Sequence, residues 1–197
     1  MIDVAVWVIS DLHLGNLNIW SKYEINTRPF HSQDEHDCAI INAWNSVVSP
    51  DDLVFVLGDF IMGSSDKVVE LLYRLNGQII LITGNHDTTR KLEIYQEHSD
   101  KILDIADYDV FYYKGKFFVM NHYPLEGDCG PKKQHLLSDG WEKAITSFQE
   151  LKDAGAEVYY LYGHIHSNAP HGLVNNTFHV GVDTNNLMPV NIENVAE

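Results

Sequence analysis

Residues 78–87, Gln-Ile-Ile-Leu-Ile-Thr-Gly-Asn-His-Asp, constrain the fold of this chain more than any other stretch. The apolar run Ile79 to Ile82 has the near-continuous hydrophobicity of a strand covered on both faces. It stops at Gly84, and the next three residues are an amide, an imidazole and a carboxylate. A buried strand that empties into a short polar loop is how α/β proteins present chemistry at the carboxyl edge of a sheet.

The same pattern recurs along the chain. Residues 4–9 read as a strand ending in Ser10-Asp11-Leu12-His13, and residues 53–57 as a strand ending in Gly58-Asp59. Residues 109–113 and 116–121 flank Lys114-Gly115 as a β-hairpin whose second arm runs into His122, and residues 157–162 end in Gly163-His164-Ile165-His166. Between them lie helical patterns. Ser32 with Glu35 forms a capping box for a helix whose apolar face is Ile40, Ile41, Trp44, Val47 and Val48. Asp66 is placed to cap a second helix that Gly77 stops, and a short helix is expected over Thr89 to Glu97. A further helix carries Trp141, Ile145, Phe148 and Leu151 on one face and stops at Gly155. Residues 14–31 and 125–138 read as loops, and residues 173–174 and 177–182 as a last hairpin turning at Asn175-Asn176. Alternating strands and helices followed by mostly strands predict an α/β fold of two sheets packed face to face with helices outside.

At 197 residues the default is one domain spanning 1–197. No apolar run reaches the roughly 20 residues that span a bilayer, no basic leader precedes the first strand, and Cys38 and Cys129 are too few for a disulfide framework. A cytoplasmic protein with no membrane partner is expected. The formal charge of −15 opposes stable binding to nucleic-acid backbones and accords with solubility and with sites for divalent cations.

Five of the eleven histidines sit at these strand ends, together with Asp11, Asp59, Asn85 and Asp87. One histidine after a strand is ordinarily a hydrogen-bonded surface residue, and Asp after Gly is ordinary turn chemistry. Repetition at the same end of five strands points instead to a metal site. Imidazole and carboxylate without thiolate suit Mn, Fe or Zn rather than a closed structural zinc or a calcium cage. Asp11 and His13, like His164 and His166, are two apart and share a side of an extended segment. Seven candidate ligands (Asp11, His13, Asp59, Asn85, His122, His164 and His166) exceed the coordination of one ion, so two divalent ions sharing a carboxylate are expected.

This set, in order and with its glycines, resembles the five-motif signature of calcineurin-like metallophosphoesterases over about residues 8 to 183. Arg28-Pro29-Phe30, Trp44-Asn45 and Val180-Gly181-Val182-Asp183 further resemble the compact phage and bacterial branch of that superfamily. The resemblance implies a four-layer α/β/β/α sandwich. It also implies one ion held by Asp11, His13, Asp59 and His166, and another held by Asp59, Asn85, His122 and His164, with Asp59 bridging. A hydroxide between the ions would attack phosphorus in line, with His86 protonating the leaving group. Asp87 either orients the loop or His86, or caps the helix beginning near Thr88.

Two further candidates concern substrate. Arg28 is either a phosphate-binding cation or a surface arginine, and Asn16 stands where the compact branch is expected to carry a second histidine. The loop Gly58-Asp59-Phe60-Ile61-Met62-Gly63 lacks the Asp-Arg of the phosphoprotein phosphatases, which argues against a Ser/Thr protein phosphatase. The expected activity is hydrolysis of a small phosphodiester or phosphomonoester. The alternatives are a nuclease, which the charge opposes, and a non-catalytic metal-binding scaffold, which would not need to retain His86. His31, His36, His98, His135, His171 and His179 read individually as structural or surface residues, with His179 facing a sheet neighbour or solvent.

Overall fold

A computed structural model describes residues 4–16, 28–125, 138–166 and 173–196. Residues 17–27 and 126–137, the larger parts of the expected loops over 14–31 and 125–138, lie outside the described residues, as do Cys129, His135 and His171.

The first sheet contains β1 (Val6–Ile9), β2 (Leu53–Leu57), β3 (Gln78–Ile82) and β4 (Ile102–Ala106), all parallel, with the short β9 (Val190–Asn191) antiparallel to β1. The second contains β5 (Asp109–Tyr113), β6 (Lys116–Met120), β7 (Val158–Tyr162) and β8 (Thr177–His179), in that order. Here β5 and β6 form the expected antiparallel hairpin, whereas β6, β7 and β8 run parallel. Helices α1 (Gln33–Asn45), α2 (Ser65–Leu72) and α3 (Thr89–Glu97) connect the first four strands, and α4 (Ser138–Asp153) connects β6 to β7.

Strand periodicity sorts the side chains into three apolar layers, because neighbours along a strand point to opposite faces. Val54, Val56, Ile79 and Leu81 pack with Ile40, Trp44, Val68 and Leu71 on the helices. Phe55, Leu57 and Ile82 face the other way and meet Phe118, Met120, Tyr159 and Leu161 between the sheets. Val119, Val158 and Tyr160 turn outward against Ala144 and Phe148 of α4. The result is the four-layer α/β/β/α sandwich. Among the described residues no helix is long and apolar enough to cross a membrane.

Several local expectations shift. The Ser32 hydroxyl accepts from Glu35 N as a cap should, but the Glu35 carboxylate returns to His31 N rather than to Ser32 N. Ser64, not Asp66, occupies the cap position of α2, leaving Asp66 in its first turn. That helix closes at Leu72, and Gly77, at φ +78°, turns the chain into β3 instead of stopping the helix. In β4 Asp104 interrupts a short apolar run, which hides the strand in the sequence, and β9 is only two residues long. The last hairpin reduces to one bridge, Val174 to Thr177, around Asn175 and Asn176, both at positive φ. His179 is buried and shares a hydrogen bond with Thr184 Oγ1, so it does not face solvent.

A candidate metal centre at the strand ends

The loops after β1, β2, β3, β6 and β7 meet at one end of the sandwich because parallel strands release their carboxyl ends on the same edge. Their backbones approach closely. A Cβ on Gly58 would lie 2.6 Å from both Gly84 Cα and His122 Nδ1, so side chains there would hold the loops apart. Asp11, His13, Asp59 and His164 all adopt left-handed backbone, with φ of 60°, 49°, 53° and 68°. Such conformations persist in non-glycine residues only where surrounding contacts over-determine them. Here those contacts include Asp11 N to Gly58 O at 3.1 Å, His13 N to Asp59 O at 2.9 Å and His164 N to Asp11 Oδ2 at 2.9 Å.

Two overlapping groups of potential donors result: Asp11, His13 and His166, and Asp11, Asp59 and His122, with one donor atom from each member within 4.8 Å of the others. Asp59 Oδ2 is 3.4 Å from His13 Nε2 and 3.6 Å from His122 Nε2, which places Asp59 between the groups. Asn85 Oδ1 is 3.0 Å and His164 Nδ1 3.2 Å from His122 Nε2. All seven candidate ligands therefore meet. Asp11 contributes to both groups, so it shares the central position with Asp59.

The imidazoles are oriented from behind. His122 Nδ1 donates to the Leu57 carbonyl at 2.8 Å, which leaves the Nε2 lone pair facing Asn85 and His164. His166 Nδ1 is paired at 2.8 Å with Asp183 Oδ2, which leaves Nε2 toward Asp11 Oδ1 at 3.9 Å. Tyr123 packs edge-on to His122, with ring centroids 5.0 Å apart, and against His164 at 4.8 Å.

Burial, with the Arg28 charge and the neighbouring imidazoles, holds His13 well below the ordinary histidine value. Burial and His122 push His164 down to about 4. Burial also acts downward on His122 and His166. The Asp59 and Asp11 carboxylates overcome it at His122, and the Asp183 hydrogen bond with the Asp11 charge overcomes it at His166, leaving both raised. Burial raises the Asp11 carboxyl, partly offset by His122 and His166.

The donor set fits divalent cations. Asp11 Oδ1 and both ring nitrogens of His13 are buried without a hydrogen-bond partner among the described residues, whereas buried polar atoms are ordinarily satisfied. Lone pairs facing one another at about 3 Å, without thiolate, are suited to a shared cation rather than to a protein hydrogen bond.

The remaining candidates divide. His86 stands over the cluster with its side chain 48 % exposed, Nε2 4.0 Å from Asp59 Oδ2 and its ring 5.4 Å from that of His13. Asp87 is buried, and its carboxylate accepts from Asp59 N at 2.8 Å, Phe60 N at 3.2 Å and Gly84 N at 2.8 Å. Of the alternatives for Asp87, the geometry favours loop orientation, since Thr88 occupies the cap position of α3 and the carboxylate bonds elsewhere. Its carboxyl is raised by burial and the Asp59 charge, against the lowering effect of the three N–H bonds.

Arg28 departs from both of its expected roles. It is 3 % exposed, so it is not a surface arginine. Its guanidinium is committed to Asp183, the carbonyls of Leu12 and Asp11, and His36 Nε2, which leaves no fork for a phosphate. Asn16 is half-buried three residues after His13, and its backbone N–H donates to His13 O. His36 is likewise not a surface residue: its ring is buried between Arg28 Nη1 at 3.1 Å and Asp37 Oδ1 at 3.0 Å. Asp183 carries the one available signal, since Val180-Gly181-Val182-Asp183 repeats the pattern of a glycine and an acid at the end of an apolar run.

A four-layer sandwich with histidines, carboxylates and an amide gathered at the carboxyl ends of its strands defines a metallophosphoesterase-like protein. The chain belongs to the calcineurin-like phosphoesterase family, which it matches over residues 4–168. It is 29 % identical over 199 residues to an uncharacterized protein of Methanocaldococcus jannaschii, covering 98 % of this chain and 89 % of that one. It is also 28 % identical over 188 residues to the gene 66 protein of Mycobacterium phage L5, covering 90 % and 86 %. Among solved structures, a protein of unknown function from Aquifex aeolicus shares the fold, with a TM-score of 0.68, 23 % identity and 98 % of each chain covered.

Proposed function

We propose that this protein hydrolyses a small phosphodiester or phosphomonoester at a centre of two divalent ions, with Mn, Fe or Zn the metals matching the donor set. The observation that carries the reading is the convergence of seven metal-type donors around the orphaned Asp11 Oδ1 and His13 nitrogens. Asp11, His13, Asp59 and His166 would hold one ion, and Asp59, Asn85, His122 and His164 the other, with Asp11 close enough to serve both. The chemistry such ions supply is Lewis acidity, which offsets charge on phosphoryl oxygens and lowers the pKa of water.

The chain's own residues supply the remainder. His86 is the half-exposed imidazole beside the cluster, free to turn toward a departing alkoxide and give it a proton. The Asp87 carboxylate fixes the Asp59 and Gly84 loops against each other and so sets where His86 stands. Leu57 O and Asp183 hold the His122 and His166 rings with Nε2 inward. The reading takes the chain as a single domain acting in the cytoplasm on a small substrate, and the net charge of −15 weighs against a nuclease.

The test is a panel of nitrophenyl mono- and diesters, cyclic nucleotides and dinucleoside polyphosphates offered to protein stripped of metal and reconstituted with Mn²⁺. Hydrolysis that appears with about two bound ions and disappears on stripping is expected. A reconstituted protein that binds no metal, or binds it and cleaves none of the panel, overturns the proposal.

A further inference from the structure

Next to His86 lies a cavity of about 430 Å³ that the proposed chemistry does not use. It opens between the segment following the Asp59 loop and the segment following the His86 loop, and its lining includes Gly63, Ser65, Asp66, Thr88, Arg90 and Lys91. The Lys91 ammonium donates to the His86 carbonyl at 2.8 Å, which ties one wall of the cavity to the backbone that carries the proposed proton donor.

Both cations are positioned, and neither makes a direct ion pair among the described residues, although the Asp87 and Asp59 carboxylates act on Lys91 through space. Lys91 Nζ contacts the His86 carbonyl and, at 2.8 Å, Met62 Sδ, and it forms no ion pair among the described residues. An ammonium has three N–H donors, and those partners occupy two. Arg90 spans the cavity from α3 to α2, bonding Ser65 Oγ through Nε at 3.4 Å and Nη2 at 3.1 Å, again without a carboxylate partner among the described residues. Asp66 is the single acid in the lining, so the formal charge of the wall is +1 in a chain of net −15. Such a local reversal of sign beside a reaction centre concentrates anions. Arg28, for which phosphate binding was one of two expected roles, is locked to Asp183 and cannot fill this role.

We infer that Arg90 and Lys91 bind a second phosphate carried on the leaving group of the substrate. The inference rests on the proposed phosphoesterase reading for the placement of the leaving group beside His86. It narrows the substrate class to phosphoric esters or anhydrides with a second phosphoryl group beyond the scissile bond. Nucleoside polyphosphates and sugar bisphosphates share that chemistry.

Two measurements decide it. In the first, metal-free protein is titrated with inorganic pyrophosphate and its melting temperature followed. The wild type is expected to gain stability saturably, Arg90→Ala/Lys91→Ala to lose that gain, and Arg90→Lys to keep part of it. No gain in the wild type, or an equal gain in the alanine variant, overturns the inference. In the second, Mn²⁺-reconstituted enzyme is compared on ribose 5-phosphate, ribose 1,5-bisphosphate and a dinucleoside polyphosphate. The kcat/KM preference for the doubly phosphorylated substrates is expected to fall at least tenfold in the alanine variant, and the preferred one of the two identifies the source of the second phosphate. A preference unmoved by the substitutions overturns the inference. If the wild type cleaves no ester, the phosphoesterase reading fails, and the metal-free titration still decides whether the cavity binds phosphate.

Discussion

Arg28 and Asp183, 155 positions apart, form a two-pronged buried ion pair, with Nε to Oδ1 at 2.8 Å and Nη2 to Oδ2 at 2.9 Å. Each partner then reaches the candidate centre from behind. Asp183 holds His166, and Arg28 binds the carbonyls of Asp11 and Leu12 and meets His36. The pairing drives the Asp183 carboxyl far below the ordinary range even though burial acts the other way.

Replacing Arg28 by Ala is therefore expected to destabilise the protein by about 3–5 kcal/mol, because a buried carboxylate loses its counter-charge. Asp183→Asn, which preserves shape, should weaken one of the two proposed ions about 10–100-fold and leave the other nearly unaffected. Chemical denaturation checks the first expectation and metal titration of stripped protein the second. Equal weakening of both ions would show a general collapse rather than loss of His166 orientation.

Asp87→Ala leaves three backbone N–H groups, those of Asp59, Phe60 and Gly84, without their acceptor. At about 1–3 kcal/mol for a buried unsatisfied group, a loss of at least about 2 kcal/mol is expected, accompanied by weaker metal binding. A variant of wild-type stability with only kcat reduced would instead assign Asp87 to the reaction.

His86→Ala removes a half-exposed side chain, and stability should stay within about 0.5 kcal/mol. Turnover of an alkyl ester should fall about 10²–10⁴-fold, whereas that of a nitrophenyl ester, whose leaving group needs little protonation, should fall much less. Steady-state kinetics on the two esters check this, and equal losses would remove the proton-donor role.

His36 supplies a pH dependence with a definite sign. Burial holds its imidazole below the ordinary 6.5 despite the Asp37 hydrogen bond, with the Arg28 charge acting in the same direction as burial. The unfolded chain thus takes up this proton first, and the stability contributed by neutral His36 is complete above pH 6.5 and declines as pH falls below it. His13 and His164 act in the same sense in metal-free protein, and His122 and His166 in the opposite one. The difference between the wild type and His36→Gln isolates His36. Denaturation of stripped protein between pH 7.5 and 5 should show the wild type losing more stability than the variant.

The sequence carried the layers and the inward-facing donors because both follow from short-range regularities. Apolar runs broken by Gly-Asp, Gly-Asn-His and Gly-His state where strands stop and what they expose, and Gln78–Ile82 begins and ends where its pattern predicts. What lay beyond reach depends on partners distant along the chain. Nothing local to Arg28 indicates that it is buried against Asp183, and Asp87 gives no sign of which N–H groups it accepts. The strand β4 was hidden for another reason: Asp104 breaks its short apolar run, yet pairing with Ile79 to Ile82 makes it a strand.

The left-handed backbone at Asp11, His13, Asp59 and His164 makes it possible to separate two quantities that ligand substitutions ordinarily confound. Alanine at these positions removes the donor and keeps a Cβ in a conformation that disfavours it by on the order of 1 kcal/mol, whereas glycine removes both donor and penalty. The glycine variant at each site should thus be the more stable of the pair, the reverse of the usual order in regular secondary structure. The stability gap between the two, summed over the four positions, measures the conformational tension that the loops hold in reserve before any ion arrives.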